Sequence, residues 1–334
     1  MSAAVWNAGA SPIYTLTDLG AAPGTGGSTF AYGLSPNGRV SGQYNSNSLG
    51  QGGFSWNAGV NTYVSGTTVL SGINDSGQAS AYNGVDPQYW DGTTLSHLPH
   101  PSANHCCNVQ GINSTGDLVG ATLNSSGQGQ ATLWSGGLHS FLPFVTGYTN
   151  SSAWAINDSG TTVGKMGDTI ADRAAIWSGG VGQLLVVPLG INQTEGRAIS
   201  SDGKVVGDGF DTGGNQFGYY WSGNTATQIG SDLRPRGVNA SGLVVGYGTY
   251  AFLWDSGTLY NLNNLVSNGA GWNLLVAQAI NDSGQIVGYG RFSNNLRAFL
   301  LTPQADPAAA PEPGTVALSA MGLALVALSR VRGR

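Results

Sequence analysis

The sequence predicts an all-β fold, a seven-bladed β-propeller closed by its own N-terminal strand and followed by a C-terminal hydrophobic helix. Three observations carry this expectation. A short motif recurs seven times, each unit reads as four short strands, and the last unit lacks a strand that the N-terminus has to spare.

The motif is an apolar residue followed by a polar turn ending in glycine. It runs YGLSPNG from Tyr32, SGINDSG from Ser71, QGINSTG from Gln110, WAINDSG from Trp154, RAISSDG from Arg197, RGVNASG from Arg236 and QAINDSG from Gln278. With Leu34, Ile73, Ile112, Ile156, Ile199, Val238 and Ile280 as anchors, the spacings are 39, 39, 44, 43, 39 and 42 residues. That period suits one four-stranded blade.

Within each unit the apolar stretch and the Val-Val-Gly or Ile-Val-Gly that follows the turn read as a hairpin, as at Leu243 to Gly246 and Gln285 to Gly288. The turn glycine supplies the left-handed backbone of a three-residue loop with a bulge. A third strand ends in Trp56, Trp90, Trp134, Trp177, Trp221 or Trp254, with Leu301 in the seventh unit, and a fourth follows a Ser-Gly or Asp-Gly turn, as at Thr258 to Leu262. The residue before each anchor is always Gly or Ala, as crowding of innermost strands near an axis requires. A tryptophan or an Asn-Asp-Ser-Gly turn repeated in every unit is explained by packing and turn chemistry, and both are read as scaffold.

The seventh unit stops after its third strand, at Arg297 to Leu301, while Ile13 to Gly20 reads as a fourth strand with no first three before it. Pairing the two closes the ring and removes an exposed edge. The propeller is expected over residues 11–302, a Pro/Ala linker over 303–313, and the tail over 314–334.

Charged residues make up 9% of the chain, with a net charge of -5, so the exterior must be wetted by Ser, Thr, Asn and Gln. With two lysines and no basic cluster in the repeats, nothing matches the phosphate backbone of nucleic acid, and none is expected as a partner. No cofactor is implied. The only cysteines, Cys106 and Cys107, are adjacent and make no disulfide framework.

Both ends carry sorting information. Pro311, Glu312 and Pro313 precede an uncharged run of 16 residues, Gly314 to Ser329, and a basic end with Arg330, Arg332 and Arg334. The run sits at the short edge of the roughly 17 to 25 residues that span a bilayer, with the basic cluster on the cytoplasmic side. This order resembles the PEP-CTERM sorting signal of Gram-negative bacteria. The resemblance implies a transient inner-membrane anchor, cleavage near Pro-Glu-Pro by an exosortase-type enzyme, and a final place at the cell surface or outside the cell. The repeats resemble the HAF-repeat family of extracellular proteins, through YTLTDLG from Tyr14, AFLWDSG from Ala251 and AINDSGQIVGY from Ala279. Both resemblances speak to address and architecture rather than to a reaction. Export presupposes a leader, yet residues 1–10 lack a basic start and an apolar core. Ala8-Gly9-Ala10 looks like a cleavage site, so residues 1–10 read as a signal-peptide remnant whose start lies upstream.

Two constellations are candidates for chemistry. His97, His100, His105, Cys106 and Cys107 offer imidazole and thiolate ligands for zinc or copper, against a loop insertion or a vicinal disulfide. The varied residues two before each anchor, Tyr32, Ser71, Gln110, Trp154, Arg197, Arg236 and Gln278, are expected at the channel mouth. With Glu195, Asp232 and Trp272 in neighbouring connections, they could stack on and hydrogen-bond a sugar or an acidic polymer, or line a channel that holds only water. The leading expectation is a non-catalytic binding or matrix protein that engages exopolysaccharide or a surface protein in biofilm. The rivals are a glycosidase or lyase using Glu195 and Asp232 as its carboxylate pair, and a metal-binding protein using the His/Cys loop.

Overall fold

The computed structural model describes residues 13–24, 27–100, 108–168 and 170–304. The signal-peptide remnant, the linker from residue 305, the hydrophobic helix and the basic tail expected from the sequence all lie outside the described residues. Among the described residues no helix is long and apolar enough to cross a membrane, and the helical element that occurs is the 3-10 turn Leu262–Asn264.

Seven four-stranded antiparallel sheets make the fold, and in six of them the strands lie side by side in chain order. The innermost strands are Gly27–Leu34, Val69–Ile73, Asn108–Ile112, Asn150–Ile156, Ile191–Ile199, Arg234–Val238 and Trp272–Ile280, and together they line one central channel. Every anchor residue is the last residue of its innermost strand. The small residue before it is a steric necessity. A Cβ on Gly33 would lie 2.8 Å from the Ser71 carbonyl oxygen and 3.0 Å from Gly72 Cα in the next blade.

The repeated turn both reverses the chain and joins blades. In blade 2, Gly77 N–H donates to the Asn74 carbonyl at 3.0 Å, and Gly77 has φ +82°, which explains the glycine after Asp-Ser. The Asn74 Oδ1 accepts from the backbone of Ser76 and Gln78 inside the turn, while its Nδ2 donates to the Asn113 carbonyl of blade 3. Asn157, Asn239 and Asn281 make the same bond to the next blade, at 3.1 Å to Ser200, 3.2 Å to Asn281 and 3.1 Å to Ser35. The following aspartate faces the other way: Asp75, Asp158 and Asp282 accept from the backbone N–H of Asn37, Ser114 and Ala240 in the preceding blade, each at 2.8 Å.

The tryptophans extend the same logic outward. Trp134, Trp177 and Trp221 are almost wholly buried, and their indole N–H groups donate to the carbonyls of Pro99, Pro143 and Val186 in the connection that closes the previous blade. Leu301 pairs with Ile286 in the register that Trp254 holds with Val244 and Trp134 with Leu118, so it fills the tryptophan's place in blade 7.

The seventh sheet is completed by the N-terminal strand Tyr14–Asp18, which pairs antiparallel with Asn295–Pro303. Tyr14 and Leu16 enter the blade 7 core with Leu253, Leu262, Phe299 and Leu301. Asn268 clamps the strand from the side, accepting from Leu16 N–H at 2.7 Å and donating to the Leu16 carbonyl at 2.9 Å.

Candidate ligand site at the channel mouth

Each innermost strand breaks register with its neighbour at the same place, just before the anchor. The shifts fall between Ala31 and Gly33, Leu70 and Ile73, Val109 and Gly111, Ala153 and Ala155, Gly196 and Ala198, Pro235 and Gly237, and Ala277 and Ala279. A β-bulge inserts a residue without a ladder partner and re-aims its side chain. The bulged residues are Tyr32, Ser71, Gln110, Trp154, Arg197, Arg236 and Gln278, and all seven line one cavity of about 440 Å³ at this end of the channel. No carboxylate is among the lining residues described.

A second tier braces the ring. The residues nine after each anchor stand on the second strands, and in three blades they meet the bulged residue of the same blade. Tyr32 Oη donates to Gln43 Oε1 at 3.3 Å, Arg197 Nε lies 3.4 Å from Asp208 Oδ2, and Arg236 Nη2 donates to Tyr247 Oη at 3.3 Å. The Arg236 guanidinium also faces the Tyr247 ring at 5.4 Å, and that of Arg197 lies 4.6 Å over the Trp154 ring of the preceding blade. Burial pushes the Tyr32 hydroxyl up to about 12, with Tyr289 adding to the shift, so it stays a neutral donor.

The charges form one network across blades 4 to 6. Lys165 Nζ bonds Asp172 at 2.7 Å and Glu195 at 2.8 Å, Glu195 pairs with Arg197, and Arg197 and Arg236 share Asp208. Burial pulls the Glu195 carboxyl upward, but Arg197 and Lys165 outweigh it and hold it below the usual range. Asp208, 1% exposed, goes the other way: burial outweighs Arg236, Arg197 and Arg234 and raises it. Burial draws the Lys165 ammonium down, and Asp172 and Glu195 more than restore it. Two polar atoms beside the ring, Trp154 Nε1 and Asp208 Oδ1, are buried without a hydrogen-bond partner among the described residues.

Three residues expected at the mouth stand elsewhere. Glu195 belongs to the innermost strand of blade 5 rather than to a connection, and it is held in the network instead of lining the cavity. Asp232 is exposed in the turn before blade 6, at φ +56°, and does not line the cavity either. Trp272 opens the innermost strand of blade 7 at its far end, where it stacks on Phe292 at 5.2 Å and packs against the blade 7 core. Gln43, Lys165, Asp208 and Tyr247 were not expected, although their position nine after the anchor is as regular as the anchors themselves.

In the expected metal loop, His105, Cys106 and Cys107 lie outside the described residues. His97 and His100 both turn to Asp86, at 3.8 and 3.7 Å. No group of three metal-ligating side chains occurs among the described residues.

No protein-family model matches this chain, and no curated protein matches it. Solved structures do. The β-propeller domain of the Trilobed protease from Pyrococcus furiosus superposes with a TM-score of 0.54 at 10% identity, over 88% of this chain and 98% of that one. A puromycin-hydrolyzing peptidase from Mycobacterium tuberculosis gives 0.51 at 11% identity, over 78% of this chain and 49% of the peptidase, so the match spans about half of that protein. At such identities the likeness is one of fold alone, and the chain is a seven-bladed β-propeller.

Proposed function

We propose that the chain is an exported, surface-sorted propeller that acts as a non-catalytic binding or matrix component, holding a polysaccharide at the channel mouth and associated with exopolysaccharide or biofilm. The observation that carries this reading is the bulge in every innermost strand, which presents a different side chain in each blade to one cavity. Guanidinium, amide, hydroxyl and indole groups are what sugar hydroxyls and acidic substituents pair with and stack on. The missing carboxylate in the described lining favours holding a glycan over cleaving it, since cleavage calls for an acid and a base flanking the bond. Surface sorting rests on the tail, where Pro311 to Pro313, the apolar run and the arginines fit an exosortase-type partner and a membrane anchor that lasts until processing.

A glycan array probed with the full chain tests the binding reading. The comparison variant combines Arg197→Gln, Asp208→Asn and Arg236→Gln, so that no buried charge is left alone. Binding by the wild type that the triple variant loses supports the channel mouth. Wild-type binding that the variant keeps in full for every glycan, or no binding to any glycan, sinks it.

A further inference from the structure

The repeat is its own control, and it marks a second site between blades 1 and 2, where one turn departs from it. The residue five after each anchor normally serves its own turn or the next blade. Gln78 and Gln285 accept from Asn74 and Asn281, Asp117 accepts from Asn113, and Lys204 donates to the Ala240 carbonyl. In blade 1 the turn asparagine is replaced by Ser35, whose Oγ accepts from the backbone N–H of Arg39 at 3.1 Å. Nothing in that turn engages the Arg39 guanidinium, which makes no ion pair or hydrogen bond among the described residues.

The tryptophan of blade 2 also keeps its indole N–H off the previous blade. Trp134, Trp177 and Trp221 each give their indole N–H to the previous blade, whereas the indoles of Trp56, Trp90 and Trp254 make no such bond among the described residues. Arg39 and Trp90 line one cleft of about 420 Å³ between blades 1 and 2, close in size to the cavity at the channel mouth. Ser55 and Thr62, directly opposite each other on the third and fourth strands of blade 1, line it too. Gly77, in the turn of blade 2, lies against the guanidinium, with Nη1 3.2 Å from where its Cβ would be.

We infer that this inter-blade cleft is a second ligand site, independent of the channel, for a uronic-acid unit of an acidic glycan. A free guanidinium pairs with a carboxylate through two parallel hydrogen bonds. The indole N–H and the two hydroxyls offer partners to ring hydroxyls, and a cleft of this size accommodates one or two sugar rings. In a chain with 12 basic residues, a guanidinium without a counter-ion among the described residues, lining the same cleft as an indole that donates to no neighbour there, is a specific arrangement.

The test is a titration of the full chain, labelled with ¹⁵N at tryptophan, with galacturonic acid, galactose and acetate. The expected result is a saturable shift of the Trp90 indole signal with galacturonic acid at millimolar concentration, and none with galactose. Acetate should bind at least about tenfold more weakly, because it lacks the hydroxyls. Arg39→Gln should weaken galacturonic acid binding at least about tenfold. Thr62→Ala, an exposed change, should weaken it less, and the triple channel variant should leave the Trp90 shift intact. No Trp90 shift, equal affinity for acetate or galactose, or unchanged affinity in Arg39→Gln would each overturn the inference, and none of these touches the channel reading.

Discussion

Asp208 in blade 5 and Arg236 in blade 6 meet across a blade boundary, Oδ2 to Nη1 at 3.5 Å, beneath a ring of side chains that faces the channel. The same oxygen holds Arg197, so one buried carboxylate orients two guanidinium groups. Asp208 is therefore a positioning residue for the ring, and its burial sets the first prediction.

Asp208 and Glu195 are register partners on adjacent strands, and they should titrate in opposite directions. Asp208 is raised above 3.8, so its contribution to stability is full below that pH and is lost as pH rises through its folded pKa. Glu195 is lowered below 4.5, so its contribution is present above that pH and is lost as pH falls through its folded pKa. Asp208→Asn, which keeps the neutral form, should gain on the wild type as pH rises from 3 to 7. Carboxyl ¹³C titration together with urea unfolding across that range checks both signs, and a variant that loses ground to the wild type as pH rises contradicts them.

The seven turns tie the ring more firmly than their surface position suggests. Asn281 bonds both Ser35 and Gln285 and is 7% exposed, so Asn281→Ala should cost about 1 to 3 kcal/mol by orphaning buried groups. Asn124 sits in a similar turn whose bonds all stay in its own blade, and Asn124→Ala should cost less than about 1 kcal/mol. Denaturant midpoints of the two variants decide the matter.

Crowding at the axis makes Gly33→Ala costly. The new methyl would meet backbone of the next blade at 2.8 Å, and overpacking of this kind costs roughly 1 to 3 kcal/mol. Gly129, whose nearest neighbour would be 3.9 Å away, should accept alanine with little change. Thermal unfolding of both variants is the check.

Closure rests on the strand, not on its surface ion pair. Asp18→Asn removes the charge from the 2.7 Å contact with Arg297 and should cost less than about 1 kcal/mol, as partly exposed pairs do. Removing residues 1–20 takes Tyr14 and Leu16 out of the core and should cost at least about 3 kcal/mol. It also bares the edge of Asn295–Pro303, so concentration-dependent aggregation should accompany the loss.

The fold was legible because its devices repeat. The small residue before each anchor, the turn glycine and the spare N-terminal strand each answer a local steric or hydrogen-bonding demand that recurs in every blade. The bulged ring was legible for the same reason, as a variable position at a fixed offset from a constant one. The second tier at Gln43, Lys165, Asp208 and Tyr247 has the same regularity, but its polar and charged members look like ordinary second-strand residues until the bulge turns their neighbours onto them. Trp272 and Asp232 were misplaced because aromatic and acidic character was read without strand register. Register puts Trp272 opposite Phe292, at the far end of its strand from the bulge at Gln278.

The central claim is that the bulged ring holds the ligand, and the indole signals of the same ¹⁵N-tryptophan sample, titrated with the glycans whose array binding the triple variant loses, report on it directly. Trp154 Nε1 has no partner among the described residues and its ring lies under the Arg197 guanidinium, whereas the Nε1 atoms of Trp134, Trp177 and Trp221 are bonded to carbonyls. The expected result is a saturable shift of the Trp154 signal with those three unmoved. Saturable binding that leaves Trp154 in place would put the ligand elsewhere and contradict the account.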